Sequence, residues 1–313
     1  MNFFNALPGA VAEGLIWGLV AIGVYISYKI LDIADLSVDG SICTGGCVCA
    51  MMLVGGAPVW LAMLMAFLAG ALAGTVTGLL HTALGIPAIL AGILTQLMLY
   101  TVNLCILGGK SLVSLVGLGS GSGQLLMRMS DNIGSIITGV IMVAVIIIGL
   151  WLFFYTEVGL TLKSTGDNPD MSRAQGVDVK FNKVLGLAIS NAIVALAGAL
   201  YVQYKGSVSL TDGRGAIVIA LAAIYIGLSV SMKIKPNFVV SLIGVVGGGI
   251  VYYIIYNFVI LLGLKTDYLK MLSALIVVIF LAVPYLKGEY FRKKRPVGNL
   301  EPINPDEGGD GNA

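Results

Sequence analysis

His81, the one histidine of the chain, and the run Gly108-Gly109-Lys110-Ser111 are the residues whose types first suggest catalysis. Neither builds it. A Ser-His-Asp set needs a histidine oriented by a carboxylate and facing a nucleophile. His81 falls at the end of an apolar run, where it reads as a capping or loop residue. The Gly-Gly-Lys-Ser run is similar to the end of a phosphate loop, but Leu104 stands where the first glycine belongs, and no strand precedes it. The run Gly117–Gly123 misses the GxGxxG spacing and reads as a flexible external loop. Cys43, Cys47, Cys49 and Cys105 lie in apolar segments with no CxxC pair and no nearby histidine, so they read as small packing residues and not as a metal site. The chain is expected not to be an enzyme and to carry no cofactor.

The remaining polar groups fit binding or passage better than bond-making. Glu13, Asp32, Asp35 and Asp39 lie near the ends of apolar runs, while Thr95, Gln96, Asn103, Asn191 and Asn257 lie inside them. Neutral polar side chains at such depth bond between helices or line a solute path. Asp39 and Asp212 each precede a short apolar segment whose first amides could face an anionic group, or be capped by the aspartate itself. The pathway candidates are therefore Asp39, Asn103, Asn191, Asp212 and Asn257.

The elements that must position these groups are membrane helices. The chain is 58% hydrophobic and 11% charged, with a mean hydropathy of +0.97, whereas soluble domains carry about 25% charged residues. A net charge of +2 without a basic stripe argues against a nucleic-acid partner. A span needs about 20 apolar residues. The candidates are 11–29, 41–54, 58–80, 86–107, 133–155, 183–204, 216–231, 237–262 and 270–286. The second and seventh are short and carry Gly or follow Asp-Gly, which points to broken or re-entrant helices. Met1–Pro8 lacks the basic start of a cleavable signal peptide. Gly70, Gly74 and Gly78 share one helix face and allow close backbone approach, which suits a homodimer with its pathway between subunits or halves.

Lysine and arginine set the orientation. Lys163, Arg173, Lys180 and Lys183 surround one loop, and Arg292–Arg295 follow the last span, so both regions are expected to be cytoplasmic; Lys233 and Lys235 fall on the same side. Counting back places 107–132 outside, 29–40 inside and the N-terminus outside. Residues 1–288 form the membrane domain, and 289–313 a basic stretch followed by a Pro-, Gly- and Asp-rich tail that reads as disordered.

The cytoplasmic loop, 160–183, carries its own helix signals. Asn168 is a good N-cap, Pro169 suits the first turn, Asp170 favours the positive helix end, and Gly176 suits the left-handed residue beyond the C-terminus. A short rigid helix outside the bilayer presents a surface, with Met171, Ser172, Arg173 and Ala174 as its contact residues.

An internal repeat is suggested by Gly14-Leu15…Tyr28-Lys29…Asp39-Gly40 beside Gly186-Leu187…Tyr204-Lys205…Asp212-Gly213. In each, an apolar helix ends in Tyr-Lys, a polar segment closes in Asp-Gly, and a short apolar segment follows. The halves, 11–107 and 183–286, run in opposite directions, as in transporters with inverted repeats.

The stretch Gly14–Gly40, with Asp32…Asp35-Leu36-Ser37-Val38-Asp39-Gly40, and the stretch Gly166-Asp-Asn-Pro…Ala174-Gln-Gly176-Val177 followed by Ala197-Gly198-Ala199 resemble ABC-importer permeases of the branched-chain amino acid and ribose type, over nearly the whole chain. Met171 or Ser172 stands where that family usually has a second alanine. The resemblance implies an all-α polytopic permease, type II-like, with about eight or nine crossings in the plasma membrane of a prokaryote. It implies a homodimer, two cytoplasmic ATPase subunits docked on the loop helix, an external binding protein, and an amino acid or related small solute. The chain has no ATPase motif of its own, which agrees with a separate nucleotide-binding partner. The alternatives are an ion-coupled secondary transporter, which would favour a midplane carboxylate over a capped loop helix, and a channel or structural protein, which would not need short broken spans.

Overall fold

Apolar runs this long satisfy their backbone within a bilayer only as helices, and the computed structural model is built almost wholly of them. It describes residues 3–115, 125–231 and 237–261, together with Leu275 and Val278. Helix α1 (Phe3–Tyr25) continues into a π-helical turn, Ile26–Ile30. An irregular segment, 31–37, follows. It contains Asp32, at φ 55° the one non-glycine residue in the left-handed region among the described residues. Then come α2 (Val38–Val54), α3 (Val59–Thr82), α4 (Ala88–Ile106), β1 (Leu112–Ser114), α5 (Asn132–Phe154), α6 (Glu157–Asp167), α7 (Pro169–Ala174), α8 (Val179–Lys205), β2 (Ser207–Ser209), α9 (Ala216–Ser231) and α10 (Phe238–Leu261).

Six of these are long and apolar enough to cross a membrane. The other two apolar helices, α2 and α9, have 17 and 16 residues. At about 1.5 Å per residue they reach roughly 25 Å, short of the ~30 Å hydrocarbon layer. The expectation of short, discontinuous spans at 41–54 and 216–231 thus corresponds to α2 and α9. The spans expected at 58–80, 86–107, 133–155 and 237–262 correspond to α3, α4, α5 and α10. The span at 270–286, Lys233 and Lys235, the run Gly117–Gly123 and the tail 289–313 lie outside the described residues.

Backbone contact through glycine organises the bundle. Helices α3 and α8 run antiparallel: a Cβ on Gly70 would run into the Asn191 carbonyl, one on Gly74 into the Leu187 carbonyl, and one on Gly78 would lie 2.8 Å from Val184 Cα. The same relationship joins α1 to α10, where a Cβ on Gly14 would lie 2.6 Å from Ile250 Cα and one on Gly18 3.1 Å from Val246 Cα. Helix α1 also lies against α8, with Ser190 Oγ donating to the Gly23 carbonyl at 2.8 Å. The glycine face of α3 is therefore used within the chain, and carries no argument for a second copy.

In consequence α1 and α8 are central, with 83% and 78% of their apolar windows buried, while α4 and α5 are peripheral at 28% and 22%. One end of the bundle gathers Gly9, Asn132 and Tyr204, and the antiparallel ribbon of β1 and β2 in the register Leu112↔Ser209. This ribbon falls in and beside a region expected as plain loop; it is not a sheet domain. The opposite end holds the α1 π-turn, α6 and α7. There, residues 160–183, expected as a loop around one short helix, contain most of α6, all of α7 and the first turn of α8. Thr156 starts α6 by accepting the Gly159 amide at 3.2 Å. Asp178 starts α8 by accepting the Lys180 and Phe181 amides at 3.0 and 3.1 Å, four residues before the expected boundary at 183.

Candidate functional site

Two short helices begin inside the bundle and meet there, and the polar residues around their first turns form a hydrogen-bonded cluster. The segment 31–37 turns inward because Asp35 and Ser37 stand two apart, the spacing at which an aspartate bonds the backbone ahead of it. Asp35 Oδ1 accepts the Ser37 amide at 2.8 Å and the Ser37 hydroxyl at 2.6 Å. Its other oxygen accepts Asn191 Nδ2 at 2.7 Å. Asp35 is 2% exposed and Asn191 0%, so a carboxylate is held deep in the protein by three donors. Asn191 also donates to the Leu187 carbonyl at 3.0 Å, which orients its amide.

One turn on, Asp39 lies in the first turn of α2 and reaches across to α9. Its carboxylate accepts the Gly215 amide at 2.9 Å and the Ile217 amide at 3.0 Å. The first amides of a helix carry partial positive charge and have no intrahelical partner. Here they are satisfied by an aspartate from the other short helix. Beside this clasp, Gly213 lies so close to Asp39 that a Cβ would meet the Asp39 carbonyl, and Cys43 Sγ accepts the Gly213 amide at 3.1 Å. The α9 amides that a solute anion could have used are thus already bonded.

The other pathway candidates are dispersed. Asp212 pairs with Lys205 Nζ at 2.6 Å and accepts the Ser209 amide at 2.9 Å, closing the turn after β2. Asn103 is 2% exposed on α4, and its Oδ1 has no hydrogen-bond partner among the described residues. Asn257 donates to the Tyr253 carbonyl one turn back at 3.2 Å. Asp39 and Asn191 are brought together with Asp35 and Ser37; Asn103, Asp212 and Asn257 do not join them. The Asp35 node was missed in the sequence because Asp35 was read as a span-end residue, although the Asp35-Leu-Ser37 spacing carries the signal. Among the described residues no group of three metal-ligating side chains occurs, and the four cysteines are free thiols.

The second candidate surface is α7. Asn168 Oδ1 accepts the Met171 amide at 3.0 Å, Pro169 opens the helix, and Gly176 follows it at φ 82°. Met171 is 60% exposed, and Arg173 and Ala174 are exposed beside it. Arg173 lies 3.5 Å from Asp170 in an exposed pair, which contributes little in water. Ser172 faces the other way: it is buried, donating to the Asn168 carbonyl at 3.0 Å and to Ser164 Oγ at 3.3 Å. It fastens α7 to α6.

Helix α6 in turn rests on the end of α1. A Cβ on Gly166 would run into the Ile30 carbonyl, Asn182 of α8 donates to Thr165 Oγ1 at 3.0 Å, and Gly186 of α8 packs on Leu31. Contacts of backbone and buried side chains thus run from α7 through α6 to the end of α1, next to the segment that carries Asp35.

Residues 9–281 match the family model described as branched-chain amino acid transport system / permease component. The chain is 36% identical over 278 residues to a tyrosine transport system permease protein of Clostridioides difficile (strain R20291), covering 89% of this chain and 91% of that protein. It is 30% identical over 286 residues to an uncharacterized protein of Rickettsia prowazekii (strain Madrid E), covering 91% and 99% respectively. Similarity extends to an autoinducer 2 import system permease protein of Enterobacter sp. (strain 638), 29% identical over 224 residues, 72% of this chain and 64% of that one. No solved structure matches the chain.

Proposed function

Because the chain belongs to the family of branched-chain amino acid transport system permease components, and is a multi-pass membrane subunit of an ABC-type importer, we propose that it passes an amino acid into a prokaryotic cell as a homodimer, with α7 docked in a groove of each of two cytoplasmic ATPase subunits. A permease of this kind works with a separate ATPase and a substrate-binding protein. The ion-coupled carrier and the channel fall to the family assignment.

The observation that carries the coupling reading is α7. It is capped at both ends, exposes Met171 and Ala174, and is fastened through Ser172 and α6 to the end of α1. A floppy loop would absorb a displacement; a capped helix braced on two others transmits it. Asn168, Pro169 and Gly176 set its shape, Ser172 braces it, and Met171, Arg173 and Ala174 supply the contact. The α6–α7 end is then cytoplasmic, as Lys163, Arg173, Lys180 and Lys183 on that side favour. The basic run Arg292–Arg295 favours the same side for the C-terminus.

The inverted-repeat reading of 11–107 and 183–286 is supported by the exchange of partners: α1 lies on α10 as α8 lies on α3, and each half has a short second helix. The solute class is supported by the tyrosine permease relative, which aligns over most of both chains. In proteoliposomes holding the permease, its ATPase and its binding protein, ATP-dependent uptake of labelled amino acids is the test. Uptake driven by a proton or sodium gradient without ATP would overturn the reading, and ATP-driven uptake of a solute unlike an amino acid would overturn the solute class.

A further inference from the structure

At the α6 end of the bundle, a cavity of about 480 Å³ opens between the end of α1, α5, α6 and the start of α10. Its volume lies within the range of about 300–1,000 Å³ usual for small-ligand sites. Its lining divides in two. The polar part is contributed by Lys29, Lys163, Asn237 and Ser241, with Asp167 as the one acid. Neither lysine has an ion-pair partner among the described residues. The apolar part is contributed by Trp151, Tyr155 and Leu160, which are 41%, 73% and 57% exposed, over a floor where Phe154 packs on Phe238 at 4.9 Å between ring centroids.

We propose that this cavity binds the headgroup of an anionic phospholipid, with the phosphate between Lys29 and Lys163 and the acyl chains along Trp151, Tyr155 and Leu160. The chemistry is that of the membrane interface. Trp and Tyr gather where one part of the ring meets hydrocarbon and another meets headgroups, and Trp151 stands against Tyr155 at 5.0 Å between ring centroids. A lysine at that level lays its stem on apolar surface and holds its ammonium among the headgroups. Basic pockets between spans on this side of a membrane select anionic lipids over zwitterionic ones. A soluble phosphate would leave the exposed Trp151–Tyr155–Leu160 wall uncovered, whereas an acyl chain covers it.

Lys163 and Asp167 belong to α6, and Asp167 directly precedes the α7 cap Asn168. An occupied cavity would therefore hold α6 against α1 and α10, and through it α7. This consequence rests on the coupling role proposed above; the binding itself does not.

The binding is tested on the purified full-length permease in nanodiscs, delipidated and then supplied with phosphatidylglycerol or phosphatidylcholine, with retained lipid counted by native mass spectrometry. The expected result is a preference of at least about fivefold for phosphatidylglycerol. It should be abolished in Lys29→Gln/Lys163→Gln and kept in Lys163→Arg and in the control Lys180→Gln, whose lysine lies on α8 away from the cavity. Equal retention of the two lipids, or undiminished preference in the double glutamine variant, overturns the proposal. So does full competition by inorganic phosphate or glycerol 3-phosphate at millimolar concentration, which would mark a soluble-phosphate site. All lysines concerned are exposed, and matching unfolding temperatures would show that the variants are folded. Lipid preference with no ATP-driven uptake in the complete complex would sink the importer reading and leave this site standing; uptake without lipid preference would do the reverse.

Discussion

Asp39 of α2 holds the N-terminus of α9 through the Gly215 amide at 2.9 Å, 176 residues away in the chain. Two helices too short to cross alone are thereby joined at their N-termini, both beginning at the same place inside the bundle. Asp39→Ala should leave two amides without their acceptor inside the protein and cost about 1–3 kcal/mol, seen as a lower unfolding temperature in detergent. Asp39→Asn keeps one carbonyl acceptor and should fall between. Uptake that survives the asparagine but not the alanine would assign Asp39 to the clasp; uptake lost equally in both, with unfolding unchanged, would point to solute contact instead.

The Asp35–Asn191 pair makes a sharper case, because both residues are buried. Asn191→Leu removes one of three donors to an enclosed carboxylate and should destabilise by about 3 kcal/mol. The double variant Asp35→Leu/Asn191→Leu should cost less than the sum of the single changes, since neither leaves a charge stranded in it. Strict additivity in thermal unfolding would mean that the bond contributes nothing.

Glycine position should separate two helices. Gly74→Leu places a side chain where the Leu187 carbonyl of α8 now lies, and should abolish the folded permease, seen as loss of the monodisperse peak in size-exclusion chromatography. Gly149→Leu on α5 meets nothing within 4 Å, so its effect should stay within about 0.5 kcal/mol. Similar yields from the two variants would contradict the α3–α8 contact.

For α7, Met171→Asp should leave the permease folded but free of its ATPase on affinity purification, with ATP-driven uptake lost. Asn168→Ala removes only the cap bond to the Met171 amide, costs about 1 kcal/mol locally, and should reduce uptake without abolishing it. A Met171→Asp complex that stays assembled and transports normally would remove α7 from the interface.

Much of this architecture was legible because bilayer helices obey two plain constraints, length and apolarity. Those place α3, α4, α5 and α10 within a few residues. Asn168, Pro169 and Gly176 outlined α7 because capping is local and each residue type has one backbone use there. Helix α6 was not read, since its 11 residues mix Lys163, Ser164 and Thr165 with apolar positions and its signal, Thr156 ahead of Glu157, is weak beside the neighbouring span. The partner of Asp39 was beyond any local reading: an N-cap is looked for on the helix that follows, and this one serves a helix in the other half of the chain. The same distance hid the Asp35–Asn191 bond, although the Asp35–Ser37 half of it is a two-residue spacing.

The burial of α1 has a consequence for biogenesis. Gly14 and Gly18 seat against Ile250 and Val246, so α1 finds that partner only after every helix up to α10 has been synthesised. At about 5–20 residues per second, that interval is roughly 10–50 s. Through it, the half-buried Glu13 and Trp17, whose ring in the finished protein stacks on Tyr253 of α10 at 5.9 Å between centroids, must be sheltered by the insertion machinery or by lipid headgroups. Newborn permease stalled before α10 should therefore be the species that quality-control proteases meet, with the Gly14–Gly18 face of α1 still uncovered as its degradation signal.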